Sequence, residues 1–355
     1  MTSVRLGGRV VSETSLPYII AEIGVNHEGS LEAAKELVRM AHEGGADAAK
    51  FQTYQADLIA MRNSPAYWDQ SEEITDSQHT LFSKFRSFTM EDYRILAEYC
   101  TELGIAFCST PFDLAAVDMI DPLVSFFKVA SADITNVPLL RRVASKGKPV
   151  VLSTGASTLE EARAAVACLD AAGAGDIVIL HCILNYPTLD ADAHVRMLRG
   201  LREAFPEHLL GYSDHTKPSF DLDTLAVAYG MGAVVLEKHF TLDKSLPGND
   251  HYHSMDRDDL IRGRARLAKV HALLGPESEK APLSSEEPAR LYARRSIVVA
   301  RDVMVGTTVN EDDLICLRPG TGIGPEHWDQ VVGSVATRDL HADELLQWDD
   351  LDVVR

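Results

Sequence analysis

The sequence predicts an α/β chain, a TIM (β/α)8 barrel followed by a small C-terminal module, and three observations carry that expectation. Short runs rich in Val, Ile and Phe alternate with stretches of helical periodicity for eight rounds. Nearly every run finishes on a polar residue that an apolar core would not accept, as the carboxyl-end mouth of a barrel would. From about Ser296 the pattern changes to short strand-like pieces separated by Gly- and Pro-rich turns.

The strand candidates fall at residues 18–23, 46–52, 105–109, 124–129, 149–153, 176–181, 208–213 and 233–238. Between them, Ser30 caps a helix running to about His42, Thr89 with Asp92 opens one ending before Gly104, and Ser157 with Glu160 and Glu161 opens another. Eight such units over about 260 residues match a barrel, whereas a doubly wound open sheet has fewer strands. The loop from Tyr54 to Phe88 is long and carries Tyr67, Trp68 and Asp69, so it is either a lid over the mouth or an oligomer contact. The polar, proline-containing stretch after Gly275 reads as a linker. The expected division is a barrel over 1–280, a linker over 281–294 and a small module over 295–355 that is marginal as a free-standing domain and should dock.

Over 355 residues, 34 basic against 53 acidic side chains leave a formal net charge of −19. That balance argues against nucleic acid or an anionic membrane surface as partner. The 5 cysteines are scattered without a C-x-x-C pair, so neither a disulfide framework nor a cysteine zinc site is expected. No apolar run approaches a membrane span and the amino terminus lacks a signal-peptide core, so the expected compartment is the cytoplasm.

The strand ends carry Glu22, Lys50, Ser109, Lys128, Ser153, His181, Ser213 with His215, and Lys238 with His239. Lys50 and Lys128, with Ser109, Ser131, Ser153 and Ser213, make a phosphate or phosphate–carboxylate site. His215 and His239 end consecutive strands, and two imidazoles with open positions suit a divalent metal such as Mn²⁺ or Mg²⁺. Glu22 is placed to act as general base or to orient water or a hydroxyl. Asp133 and Asp250 are candidates for sugar hydroxyls, and the triplet His251-Tyr252-His253 is either a loop touching substrate or solvent or a second metal site. The chain has no nucleophile elbow, P-loop, G-x-G-x-x-G or H-E-x-x-H.

Taken in order, Ala21-Glu-Ile-Gly-Val-Asn-His-Glu-Gly, Lys50-Phe-Gln-Thr, Ser109-Thr-Pro-Phe-Asp, Lys128-Val-Ala-Ser, Leu152-Ser-Thr-Gly, His181-Cys with Tyr186-Pro-Thr, Gly211-Tyr-Ser-Asp-His-Thr, Glu237-Lys-His-Phe-Thr and Arg318-Pro-Gly are recognisable. They resemble the sialic acid synthase (N-acetylneuraminate synthase) family over essentially the whole chain. The resemblance implies a barrel followed by an antifreeze-like SAF domain. It implies condensation of phosphoenolpyruvate with an open-chain N-acylated amino sugar, giving a nine-carbon 3-deoxy-2-keto acid and phosphate; relatives make legionaminic or pseudaminic acid.

Residue by residue, the resemblance implies that His215 and His239 hold the metal, Mn²⁺ with Mg²⁺ or Co²⁺ as alternatives. Lys50, Thr110, Lys128, Ser131, Ser153 and Ser213 would cradle phosphoenolpyruvate, Glu22 would be the acid–base residue, and Gln52, Asp133, Tyr186 and Asp250 would meet the sugar. Arg318 matches an arginine that reaches a partner subunit's barrel, which implies a domain-swapped homodimer. The chain departs from the family pattern at Ser131-Ala-Asp, where some members carry Ser-Gly-Glu, at Leu184-Asn185, and at His-Tyr-His after Asp250. Two alternatives remain: a related phosphoenolpyruvate-dependent 3-deoxy-2-keto acid synthase with a sugar-phosphate acceptor, or a non-catalytic sugar-binding homologue. A phosphorylated acceptor would need a second basic cluster at the mouth, and the sequence presents none.

Overall fold

A computed structural model describes residues 2–68, 70–71, 73–84, 88–220, 222–248, 250–276 and 279–353. The chain divides into two compact units, Met1–Pro276 and Glu277–Arg355. The first opens with an antiparallel hairpin, β1 (Ser3–Leu6) and β2 (Arg9–Ser12). Sequence reading placed no element there. Gly7 turns the hairpin at φ 59°, and a Cβ on it would lie 2.8 Å from Ala106 Cβ, so only glycine lets the turn pack this closely against the sheet.

Eight parallel strands follow: β3 (Tyr18–Gly24), β4 (Ala48–Thr53), β5 (Ala106–Pro111), β6 (Phe127–Val129), β7 (Val150–Ser153), β8 (Ile177–Cys182), β9 (Leu209–Asp214) and β10 (Ala233–His239). Each overlaps a strand expected from sequence. Hydrogen bonding runs β5-β4-β3-β10-β9-β8-β7-β6, and β5 lies beside β6, so the sheet curls into a nearly closed barrel. The strands are buried on both faces, which is why they read as unbroken apolar runs. At Gly211 a Cβ would meet Leu180 Cδ2 at 2.2 Å and Val235 O at 2.3 Å, so β8, β9 and β10 close only around a residue without one.

Helices return the chain between strands. Ser30 accepts the Ala33 N–H at the start of Leu31–Gly44, and Thr89 with Asp92 forms a reciprocal capping box for Met90–Leu103; both helices end on a left-handed glycine, Gly45 and Gly104. The expected Ser157 cap is corrected by one position: Thr158 and Glu161 form the box for Leu159–Ala171, while the Ser157 hydroxyl donates to Thr154 O at 2.7 Å. No helix among the described residues is long and apolar enough to cross a membrane.

The second unit has its own small core, with Ile297, Val299, Val309, Val331 and Leu346 at its centre. Its main ladder pairs β11 (Ser296–Val299) with β12 (Leu314–Leu317). The stretch read as linker is not featureless, since it holds a short helix at Glu287–Tyr292.

Candidate active site

The barrel residues to which the family resemblance gives anion, sugar, metal or acid–base roles line one cavity of about 390 Å³. They are Glu22, Lys50, Gln52, Thr110, Lys128, Ser131, Asp133, Ser153, Tyr186, Ser213, His215, His239 and Asp250. Strand parity explains the convergence. Glu22 sits in register with Lys50 on one side and His239 on the other, and Ser213 is in register with Glu237. Arg318 belongs to the second unit, immediately after β12.

At the heart of the cavity is a buried ionic network. Lys50 Nζ lies 2.7 Å from Glu22 Oε2 and 3.8 Å from Glu237 Oε2, while Lys128 Nζ lies 3.4 Å from Glu237 Oε1. Lys50 also donates to Thr110 Oγ1 at 3.1 Å, Gln52 Nε2 donates to Glu22 Oε1 at 2.8 Å, and the Ser213 hydroxyl donates to Glu237 Oε1 at 3.0 Å. Burial pushes the Glu22 carboxyl up, against the pull of Lys50. Burial acts on Glu237 in the same direction, but Lys128 and Lys50 outweigh it and hold that carboxyl below its ordinary range. Burial works against the Lys50 charge, yet Glu22 and Glu237 win and raise it; Lys128, with burial and less compensation, is lowered.

Glu237 is the residue that sequence reasoning missed. It was visible inside Glu237-Lys-His-Phe, and the signal that would have found it is the two-residue period of a strand. Glu237 and His239 face inward together, whereas Lys238 between them points away and pairs with Asp214 at 2.7 Å and Thr216 O at 2.6 Å. The same parity removes Ser109 from the expected anion site: it is in register with Phe51, one step off the inward Lys50–Cys108 row, and its hydroxyl bonds Thr53 at 2.7 Å. His181 also stays outside the cavity lining, bonding Ala193 O at 3.0 Å.

The His215 and His239 rings lie 5.4 Å apart, and Tyr186 packs 4.3 Å from His215. His215 Nδ1–H donates to Ile183 O at 2.7 Å, which leaves Nε2 as the nitrogen that could serve a ligand. Burial lowers the His215 pKa to about 4 and that of His239 well below its ordinary value, so both rings are neutral, the form that binds metal. Asp250 Oδ2 stands 3.5 Å from His239 Nδ1, and burial followed by the Glu22 charge lifts its pKa to about 7. Neutral imidazoles beside a carboxyl group fit a divalent ion.

The long second loop covers part of this space. Tyr54, Ile59, Tyr67, Trp68, Leu81 and Phe82 all line the cavity, as a lid would, while Met61 and Ile74 stay exposed at 80% and 86%. Asp69 lies outside the described residues. On the lining, Lys84 is tied to Glu73 at 2.7 Å.

The model of the NeuB family matches residues 37–279, and that of the SAF domain matches residues 294–352. An N,N'-diacetyllegionaminic acid synthase from Legionella pneumophila is similar at 40% identity over 341 residues, 94% of this chain and 94% of the relative. Human N-acetylneuraminate-9-phosphate synthase is similar at 31% identity over 342 residues, 96% of this chain and 94% of the relative. Among solved structures, an N-acetylneuraminic acid (sialic acid) synthetase from Leptospira borgpetersenii serovar Hardjo-bovis, in complex with citrate, matches with a TM-score of 0.71 and 28% identity, covering 81% of this chain and 94% of that one. With the family model spanning more than half of the sequence and the cavity built from its strand ends, the chain belongs to the NeuB family and carries a SAF domain after its barrel.

Proposed function

We propose that this enzyme condenses phosphoenolpyruvate with an open-chain N-acylated amino sugar, releasing phosphate by C–O cleavage and forming a nonulosonic acid. The observation that carries the reading is the buried Lys50–Glu22 and Lys128–Glu237 network, set beside two neutral imidazoles in one cavity. Buried lysines at strand ends cost several kcal/mol each unless partnered; Glu22 and Glu237 partner them here, and both lysines still line the cavity, where an anion can meet them. Lys50 and Lys128, with Thr110, Ser131, Ser153 and Ser213, hold the phosphate and carboxylate of phosphoenolpyruvate and fix its C3 toward the aldehyde carbon. That attack leaves an oxocarbenium at C2. Glu22 positions or deprotonates the water that adds there, and the hemiketal phosphate then collapses to the 2-keto acid and phosphate. A divalent ion on His215 and His239, Mn²⁺ with Mg²⁺ or Co²⁺ as alternatives, would supply Lewis-acid polarisation of the aldehyde oxygen.

The acceptor meets Gln52, Asp133, Tyr186 and Asp250, and its class is a 2,4-diacylamino sugar. The apolar wall of Tyr54, Ile59, Tyr67, Phe82 and Phe112 suits a second acyl group, and the 40% identical relative is named for a diacetylated product. A phosphorylated acceptor is disfavoured because Lys84, a basic lining group outside the lysine pair, is matched by Glu73. Arg318 serves the partner subunit's barrel in a domain-swapped homodimer, in the cytoplasm where phosphoenolpyruvate is made. Mixing Glu22→Gln with Arg318→Ala chains would restore part of the activity that each lacks alone.

The deciding experiment measures phosphate release from phosphoenolpyruvate with N-acetylmannosamine, 2,4-diacetamido sugars and a 6-phosphorylated sugar, with and without Mn²⁺. Release with the diacetamido sugar is expected, and no release with any acceptor would sink the synthase reading.

A further inference from the structure

We propose that His253 is a metal ligand, closing with His239 and Asp250 a buried set for a first-row divalent transition ion. One donor atom from each of the three lies within 4.8 Å of the other two, and among the described residues this is the one such group of three or more His, Cys, Asp or Glu. All three are buried, His253 completely. Its ring centroid stands 4.9 Å from that of His239, closer than the 5.4 Å between His239 and His215.

The backbone pins this neighbour in place. After β10 the chain loops out and returns through a one-turn 3₁₀ helix, His251–His253. Met255 N–H then donates to His239 O at 2.8 Å, and Thr241 N–H to Met255 O at 3.0 Å. Inside the loop, Asn26 Nδ2 donates to both Phe240 O at 3.0 Å and Ser254 Oγ at 3.1 Å. Met255 is therefore stitched to the end of the strand that carries His239, and His253, two residues earlier, is set against that ring. His251 on the same turn is engaged otherwise, with Thr241 Oγ1 2.7 Å from its Nδ1. The loop that sequence left open between a substrate contact and a second metal site thus divides its histidines: His251 braces the loop and His253 faces the donors.

Two imidazoles and one carboxylate, with His215 beside them at 5.4 Å ring to ring from His239, favour Mn²⁺, Fe²⁺, Co²⁺ or Zn²⁺ over Mg²⁺, which prefers oxygen ligands and retained water. What the ion does in turnover rests on the synthase reading; whether His253 binds it does not. The test therefore uses the full chain, stripped with chelator, without phosphoenolpyruvate or sugar, and titrated with Co²⁺ by calorimetry and visible absorption. The wild type is expected to develop a Co²⁺ d–d spectrum that excess Mg²⁺ does not erase. His253→Ala is expected to alter that spectrum and to weaken Co²⁺ by more than the roughly 10–100-fold that loss of an outer-shell partner costs. His253→Gln, closer in volume, guards against a folding failure and should show the same spectral change. An unaltered cobalt spectrum in either folded variant, whatever its affinity, overturns the assignment.

Discussion

Lys50 Nζ is held 2.7 Å from Glu22 Oε2, and the two residues occupy directly opposed positions of neighbouring parallel strands. The pair is therefore fixed by backbone register rather than by a flexible loop, and the carboxylate cannot drift from the lysine. Gln52 donates to the other oxygen of Glu22, so both oxygens are oriented before any ligand arrives.

This orientation predicts that Glu22→Gln keeps the side chain's shape but removes its charge and its proton handling. Turnover should fall by about 10²–10⁴ while the KM for phosphoenolpyruvate moves little, since one well-placed acid or base contributes that much. Steady-state kinetics check it, and near-normal turnover would remove Glu22 from the mechanism.

Glu237→Gln makes a different prediction. Glu237 is the counter-charge shared by Lys50 and Lys128, so its neutral isostere leaves two buried ammonium groups with Glu22 alone. The ligand-free protein should lose about 3 kcal/mol of stability, the scale on which a broken buried ion pair acts. Inorganic phosphate should then raise the thermal midpoint more in the variant than in the wild type, because the anion replaces the missing charge. An equal or smaller phosphate effect in calorimetry would mean that Glu237 does not balance the lysines.

The barrel was legible because strands such as Ile177–Cys182 are apolar on both faces, and because Ser30 and the Thr89–Asp92 pair mark helix starts by hydrogen bonds local in sequence. What stayed hidden depends on contacts that local pattern does not encode. The Ser3–Ser12 hairpin is too short and too mixed in polarity to announce itself, and it is stabilised by packing near Ala106 far along the chain. Glu237 and Ser109 needed strand parity, since a one-residue step decides between the cavity and the outer face. Within the His251-Tyr252-His253 triplet, the choice between the two histidines needed the return of a whole loop through the Phe240–Met255 bridge, which has no local signature.

Gly155 leaves no room beside Ser131, a residue of the proposed anion site. Its φ is not in the left-handed region, so alanine suits the backbone, but a Cβ there would lie 2.9 Å from Ser131 Oγ and 3.0 Å from Cys182 Sγ. Gly155→Ala should displace the Ser131 hydroxyl and cost about 1–3 kcal/mol of stability by overpacking. Losing one hydrogen bond to a charged ligand is worth about 1.5 kcal/mol or more, so the KM for phosphoenolpyruvate should rise about tenfold. An unchanged KM in the folded variant would argue that Ser131 does not touch the anion.

His27 sets a pH limit on the fold itself. Its ring is buried and stacked on Phe88 with centroids 4.1 Å apart, and Nδ1 accepts the Gly29 N–H at 3.1 Å, so the folded state needs the neutral imidazole. Burial lowers its pKa from 6.5 to about 4. Between those values the unfolded chain binds a proton that the folded chain does not, so stability rises with pH across this window. The contribution is complete above about pH 6.5 and is lost as pH falls toward 4, to a total of about 3 kcal/mol. Urea unfolding at pH 7 and pH 4.5 should show His27→Phe, which keeps the stack and cannot titrate, losing less stability on acidification than the wild type. His215 and His239 titrate in the same sense and leave a residual slope, so the informative quantity is the difference between the two proteins; identical losses would show that His27 does not set the limit.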